Sequence, residues 1–308
     1  MLPITEYPSF VREAKSYLES GFDDWRQVEN AMRYLTGLVA IPERKNVSSI
    51  NRSFLEYRNQ VSMNSFITDS TWDDGEFRRA MVQMVKDEVE KQGVMHGTFV
   101  IDDTFLEKSG EEMEAVGWFW DHSHSKSILA HNLVSTHYIA GRFYVPLDFD
   151  VYVKRKDCAD KKRFRTKVER LDAGGEGLSF YVTNMRFWKS KKVLQTQAMR
   201  WPIEGFHRDA KQSLGLEDYQ VRNIRGVKRH IATVFFAYIL LQFGSGFDSI
   251  MGNLKANLRT LGSRCRLAGT EVLSSLIRLV VKMSHRGMDT RKIMDLLTKP
   301  LERSGYWV

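Results

Sequence analysis

The chain has 308 residues, of which 43% are hydrophobic and 12% aromatic, enough to bury the core of one large domain or of several smaller ones. This composition excludes a disordered chain. The formal net charge of +8, with a pI near 9.3, favours a polyanionic partner, most simply nucleic acid, over a merely basic soluble protein.

The first 93 residues predict helices. PSFVREAKSYLES and DDWRQVENAMRYLTGLVA show apolar residues three or four apart, and a basic polar segment follows them. A clearer helix begins where Asp73 and Glu76 have the spacing of a capping box. Its apolar face is expected to end near Gly93 and comprises Phe77, Met81, Met84, Val85 and Val89.

Strand patterns replace helical ones after Gly93. GTFVIDDT is a short apolar run that ends in Asp102 and Asp103. LVSTHYI and RFYVPLDFDVYVKR follow, rich in β-branched and aromatic residues, and SFYVTNM, Ser179 to Met185, is another strand candidate. From Lys191 the pattern is helical again to about Thr298. We therefore predict an α/β core flanked by N-terminal and C-terminal helical regions.

The stretch QAMRWPIEGFHRDAK places the Glu204 carboxylate among cations. Arg200, Glu204 and Lys211, at spacings of four and seven, fall on one helical face, although Pro202 favours a kink or a helix start. A surface helix with salt bridges is the plain interpretation. The alternative is a metal-binding carboxylate in a DNA-handling site.

A strand that ends in Asp102 and Asp103 would present a carboxylate at its carboxyl end. Carboxylates from separate elements hold two divalent ions about 3.5–4 Å apart in two-metal sites. One ion activates a hydroxyl nucleophile, and the other stabilises the leaving oxygen of a phosphodiester. The alternative for these two residues is an ordinary Asp-rich turn.

Together, IDDTFLEKSG, YVTNMRFW and QAMRWPIEGFHRDAKQSLGLEDYQVRN resemble a DDE-type insertion-sequence transposase. The similarity covers roughly residues 45–245. Within the family, the chain resembles the branch whose third carboxylate lies in a Y-x2-R-x3-E-x6-K signature. Arg200, Glu204 and Lys211 match that signature, whereas Gln197 stands in the tyrosine position.

The resemblance implies an RNase H-like core, a mixed sheet with helices, in which Asp102 and Glu204 are catalytic and bind Mg²⁺, or Mn²⁺ in its place. Asp103 is a neighbour that could substitute for Asp102 or assist it. Double-stranded DNA, as transposon ends and target, would be held by a homodimer. The residues expected to contact DNA are Arg200, Lys211, Arg208, Lys189 and Lys191.

The resemblance also implies regions 1–93 (helical, DNA-binding), 94–220 (the core) and 221–308 (helical). The family's second catalytic aspartate lacks an obvious strand, because the interval 155–178 is too short for two crossovers and a strand. The candidates for it are Asp172, Asp148 and Asp150. A DNA transposase that cuts and rejoins an insertion sequence is therefore predicted, with a catalytically impaired DNA-binding protein or regulator as the alternative.

His122 and His124 in DHSHSK could bind metal on a strand, but a polar loop is the simpler interpretation. A metal hydrolase built on these histidines would ignore RWPIEGFHRDAK.

The remaining features concern the location of the protein. Cys158 and Cys265 are too few for a zinc site or a disulfide framework, which fits a reducing cytoplasm. The run Ile231–Phe243 is shorter than the ~20 residues that span a bilayer, and we predict a buried helix there. With no signal-peptide pattern, we expect no membrane contact and a cytoplasmic, nucleoid-associated protein.

Overall fold

The computed structural model describes residues 3–93, 97–140, 143–154, 201–243 and 260–302. Helices form the first part of the chain, as the sequence predicts. They are α1 (Ser9–Glu13), α2 (Lys15–Gly21), α3 (Trp25–Ala40), α4 (Val47–Arg52), α5 (Gln60–Thr68) and α6 (Asp74–Lys91).

The helix predicted after Asp73 is confirmed as α6. The Asp73 side chain accepts a hydrogen bond from the Gly75 N–H, whereas Glu76 contacts Arg79 and does not complete the predicted capping box. Phe77, Met81 and Val85 are buried, and Met84 and Val89 pack against the same core. The chain then turns at Gly93, whose φ is +65°.

An antiparallel sheet follows, built in the described residues from β1 (Thr98–Glu107), β2 (Gly117–Asp121), β3 (Lys126–Ala140) and β4 (Phe143–Tyr152). The long strand β3 is central. It pairs with β1 along one edge, and with β2 and then β4 along the other. The register of the β3–β4 pairing shifts between Thr136 and His137: Thr136 pairs with Asp148, and His137 pairs with Pro146.

The strand that carries Asp102 and Asp103 is longer than predicted. It was expected to end at these aspartates, but the pairing with β3 continues to Glu107, so both residues lie in the middle of β1. The extension follows from Leu106, which is fully buried opposite His131 and keeps the strand on the core.

The helices after the sheet are α7 (Trp201–Leu214), α8 (Ile224–Phe243), α9 (Leu261–His285) and α10 (Thr290–Glu302). The predicted buried helix at Ile231–Phe243 is confirmed within α8, which contacts α3, α6 and β4. Within the residues that the structure describes, no helix is both long and apolar enough to cross a membrane.

One hydrophobic core joins residues from α3, α6, α8 and the sheet. Helices and a β-sheet therefore share the interior, which is the predicted α/β architecture and is consistent with an RNase H-like fold. The core extends across position 93, and the predicted division at 93 and 220 stays a prediction. The strand candidate Ser179–Met185 and the shortened interval 155–178 lie outside the described residues.

Candidate active site

The two predicted catalytic carboxylates lie on elements that meet on one face of the sheet. Asp102 is half-buried in β1, and the strand register places it opposite Ser135 of β3. The Ser135 Oγ lies 3.0 Å from the Nε2 of His207 in α7. Glu204 is exposed and lies three residues before His207, one helical turn away. Ser135 thus connects the strand pair that carries Asp102 to the helix that carries Glu204.

A chain of buried polar groups lies beneath these carboxylates. The Ser135 Oγ is also 2.9 Å from the Nε2 of His137, and the His137 Nδ1 is 2.8 Å from the hydroxyl of Tyr144 in β4. Ser135 and His137 are fully buried, and His207 is nearly so. No sequence motif indicates this group, because cross-strand register and helix packing bring its members together.

Burial sets the protonation of this chain. It lowers the pKa of His137 to about 3, with the neighbouring His207 adding to the effect. It likewise lowers the pKa of His207 to about 4, with a further contribution from Lys211. The pKa of the Tyr144 hydroxyl is raised by burial, then by Tyr238 and by Asp102. Both imidazoles are therefore neutral near pH 7 and act as hydrogen-bonding groups rather than as cations.

The Asp103 side chain points to the opposite face of β1 from the Asp102 side chain. Successive side chains of a strand point to opposite faces, and Asp103 lines an open groove of about 990 Å³ beside the β2–β3 turn. Phe105 and Phe119 stack there at 5.3 Å, and the Lys154 ammonium lies 4.6 Å from the Phe119 ring centre. Lys211 of α7 also lines this groove. The expectation that Asp103 substitutes for Asp102 or assists it stays a prediction.

Comparison with known proteins identifies the family. The family described as DDE superfamily endonuclease matches residues 18–175, about half of the chain. The chain belongs to this family. The search of curated proteins gave no match. The matched region contains Asp102 and ends before Glu204. The catalytic roles of both residues, and the Y-R-E-K branch, stay predictions.

Two of the three candidates for the second catalytic aspartate form ion pairs, and their catalytic role stays a prediction. Asp148 lies in β4, and its Oδ1 is 2.7 Å from the Arg78 guanidinium. Asp150, on the same strand, lies 2.8 Å from the Lys228 ammonium. Asp172 lies outside the described residues. In the ranges that the structure describes, no group of three or more His, Cys, Asp or Glu side chains forms a metal site.

The residues predicted to contact DNA differ in their place in the structure: one is exposed, one is bonded to other protein groups, and three lie outside the described residues. Arg208 projects from α7 with 66% of its side chain exposed. Lys211 reaches inward, where its ammonium lies 2.6 Å from the Phe105 carbonyl oxygen of β1 and 2.8 Å from Glu217. Arg200, Lys189 and Lys191 lie outside the described residues. Their roles on DNA stay predictions.

The expectation for DHSHSK is resolved by the structure. The motif forms the turn between β2 and β3, where the His124 Nδ1 is 2.6 Å from Asp121, which confirms the polar-loop interpretation. Trp201, the first residue of α7, is 71% exposed and does not belong to the core.

Proposed function

We propose that this DDE endonuclease is a transposase that cleaves DNA at the ends of an insertion sequence and joins them to a target. The observation that supports this most directly is the Ser135–His207 contact, which joins the strand pair carrying Asp102 to the helix carrying Glu204. Hydrolysis and strand transfer both require carboxylates held on rigid elements, and β1 and α7 are such elements.

The described residues fit part of a divalent-metal site. Asp102 and Glu204 supply the hard oxygen ligands that Mg²⁺ or Mn²⁺ prefers, and a third carboxylate does not join them within the described ranges. When bound, the metal supplies an activated hydroxyl and stabilises the leaving oxygen. The chain's own part is to hold two carboxylates in place and to bring DNA to them.

DNA binding follows from charge. The formal net charge is +8, and cations such as Arg208 are exposed beside Glu204. Arginine binds phosphate through paired hydrogen bonds, so Arg208 suits the backbone next to the scissile bond. The proposal includes a homodimer that holds two DNA ends, and a place at the nucleoid.

A second function is favoured by the lack of a third ligand beside Asp102 and Glu204 within the part of the chain that the structure describes. Two carboxylates alone would bind metal weakly, and the chain would then be a transposase-derived protein that occupies DNA ends without cutting them. This alternative shares the fold, the charge and the DNA contacts of the first. Catalysis is what separates the two.

The deciding experiment measures binding and cleavage on the same DNA. The probe is a duplex carrying the genomic sequences that flank the gene, incubated with Mg²⁺ or Mn²⁺. For the transposase, D102N and E204Q abolish cleavage and retain binding, while E112Q, at an exposed carboxylate that pairs with Arg222 outside the site, retains both. Binding without cleavage by the unaltered chain establishes the second function, and cleavage that survives both site variants contradicts the assignment of the carboxylates.

A further inference from the structure

Ser135 is the point at which three elements of the site are tied together. Its Oγ contacts His207 of α7 at 3.0 Å and His137 of β3 at 2.9 Å, and Asp102 of β1 is its register partner. His137 continues the chain to the Tyr144 hydroxyl of β4 at 2.8 Å. We propose that Ser135, His137 and His207 are positioning residues that fix the rotation and height of α7, and hence the place of Glu204 relative to Asp102.

Neutral imidazoles satisfy the hydrogen bonds of this group. A serine hydroxyl carries one proton, so Ser135 can donate to one histidine and accept from the other, with hydrogen on only one of the two Nε2 atoms. The burial of His137 and His207 favours these neutral forms, because a charged imidazole would lose its hydration there. The group therefore fastens α7 without adding a charge beside the carboxylates.

The geometry of α7 explains why this point controls Glu204. Glu204, His207 and Lys211 lie at spacings of three and four, which is one stripe of an α-helix. Two members of the stripe are fastened to the sheet: His207 to Ser135, and Lys211 to the Phe105 carbonyl oxygen. Two anchors on one stripe set the rotation of the helix about its axis. The third member, Glu204, is thereby directed along the same sheet face one turn further on.

The order of the anchors matches the order of residues in β1. Lys211 is fastened at Phe105, and His207 is fastened at the level of Asp102 through Ser135. Going from Lys211 to Glu204 along α7 therefore follows β1 from Phe105 back through Asp102. Loss of the Ser135–His207 contact would leave the Glu204 end of α7 without this anchor, although Lys211 would still hold the other end.

The first test measures position rather than activity, so it does not depend on the proposed catalysis. Asp102→Cys and Glu204→Cys are introduced together, and a short thiol cross-linker is applied. Mass spectrometry identifies the linked peptides and separates this link from any made by Cys158 or Cys265. The double-cysteine variant without further changes is the parent pair, and we expect it to be linked efficiently. Adding S135A or H207L should cause a marked loss of linking. H207Q should be linked like the parent pair, because the glutamine amide reaches the position of the imidazole Nε2.

His131 provides a matched control on the same strand. It is fully buried, and its Nδ1 lies 2.7 Å from the Tyr219 hydroxyl, away from Ser135. H131Q should disturb a buried histidine and leave linking intact. Equal linking in S135A, H207L and the parent pair would overturn the proposal. So would an equal loss in H131Q, because the effect would then be general destabilisation. Absence of linking in the parent pair would also overturn it.

A second test uses catalysis and rests on the proposed function. In the otherwise unaltered chain, H207L should slow metal-dependent cleavage about 10- to 100-fold, the usual effect of removing a group that orients a metal ligand. DNA affinity should stay constant, and H207Q should restore the rate. If the unaltered chain does not cleave, the proposed function fails, and the cross-linking result still decides whether these residues position α7. Unchanged cleavage in H207L would contradict positioning.

Discussion

The ammonium group of Lys211 lies 2.6 Å from the carbonyl oxygen of Phe105, which fastens α7 to β1. The same group lies 2.8 Å from the Glu217 carboxylate, and 27% of the lysine side chain is exposed. A residue predicted to contact phosphate therefore has two internal partners. Since an ammonium group has three donors, one remains for DNA.

Lys211 should consequently matter for folding, and Arg208 for DNA. K211M leaves the Phe105 carbonyl without its donor and should lower the free energy of unfolding by about 1–3 kcal/mol. R208A should change it by less than about 0.5 kcal/mol, because Arg208 is largely exposed. Urea titration measures both.

In DNA binding, R208A should reduce the slope of log affinity against log salt concentration by about 1. A K211M protein as stable as the parent would contradict the anchoring role.

Arg229 should be a structural residue although it belongs to a basic stretch. It is 2% exposed, and its guanidinium lies 4.1 Å from the Trp72 ring centre. It donates hydrogen bonds to the carbonyl oxygens of Phe66, Ile67, Ser70 and Trp72. R229L would remove this donor from the oxygens of Ile67, Ser70 and Trp72, while the Phe66 oxygen keeps the Trp72 indole N–H at 2.6 Å. We expect the substitution to cost about 3 kcal/mol or more.

The matched control is Arg225, one turn earlier in α8 and exposed. R225L should change stability little and weaken DNA binding if this surface contacts phosphate. R229K should recover only part of the loss, because an ammonium group cannot reproduce the planar donors of a guanidinium. Equal stability of R229L and R225L in urea would refute the structural role.

Helices and strands that depend on local sequence patterns could be predicted from the sequence, whereas those that depend on tertiary packing could not. α6 has a capping aspartate and a regular apolar face, and α8 has a continuous apolar run, so both follow from local patterns. β2 does not, because Trp118 and Trp120 are more than half exposed and its pairing with β3 creates the strand. The end of β1 was misplaced for the same reason: burial of Leu106 by tertiary packing extends it.

The site divides in the same way. Asp102 and Glu204 follow from family resemblance, which relates residues far apart in sequence without knowledge of their contacts. Ser135 and His207 could not be found in this way, since a one-residue change of β3 register would point Ser135 to the other face. Their pairing depends on the register with β1 and on the docking of α7, and neither is encoded in a short stretch of sequence.

His230 should make stability depend on pH. It is fully buried, with its Nδ1 2.8 Å from the Tyr34 hydroxyl and its Nε2 3.0 Å from the Gly215 carbonyl oxygen. Burial lowers the pKa of His230 from 6.5 to about 3. Between pH 6.5 and pH 3, His230 is therefore protonated in the unfolded chain and neutral in the folded chain. The contribution of His230 is complete above pH 6.5 and is lost as the pH falls from 6.5 towards 3.

Replacing His230 should flatten that dependence. Below pH 6, the free energy of unfolding of H230Q should fall less steeply than that of the parent, by up to about 1.4 kcal/mol per pH unit. The comparison is of slopes between pH 6 and pH 4, measured by urea titration, because the substitution also changes the absolute stability. Parallel curves for the two proteins would show that His230 does not carry this proton linkage.

Two glycine-to-alanine substitutions near α7 should have opposite effects. Gly215 follows the helix with a φ of +68°, and a Cβ added there would lie 2.7 Å from the Lys45 Cβ. Lys45 is 6% exposed, and its ammonium is held by the carbonyl oxygens of Leu38 and Ser213, so it has little room to move. G215A should cost at least about 1–2 kcal/mol for the left-handed backbone alone.

Gly205 lies inside α7, where an added Cβ would meet no atom within 4 Å. G205A should stabilise the protein by about 0.5–1 kcal/mol, because alanine loses less backbone freedom in a helix than glycine does. Thermal unfolding of the two variants beside the parent measures both signs at once. A G205A protein that is less stable than the parent would mean that this turn of α7, which carries Glu204, needs a conformation or a close approach that alanine prevents. That result would move the search for the substrate contact to the backbone at this position.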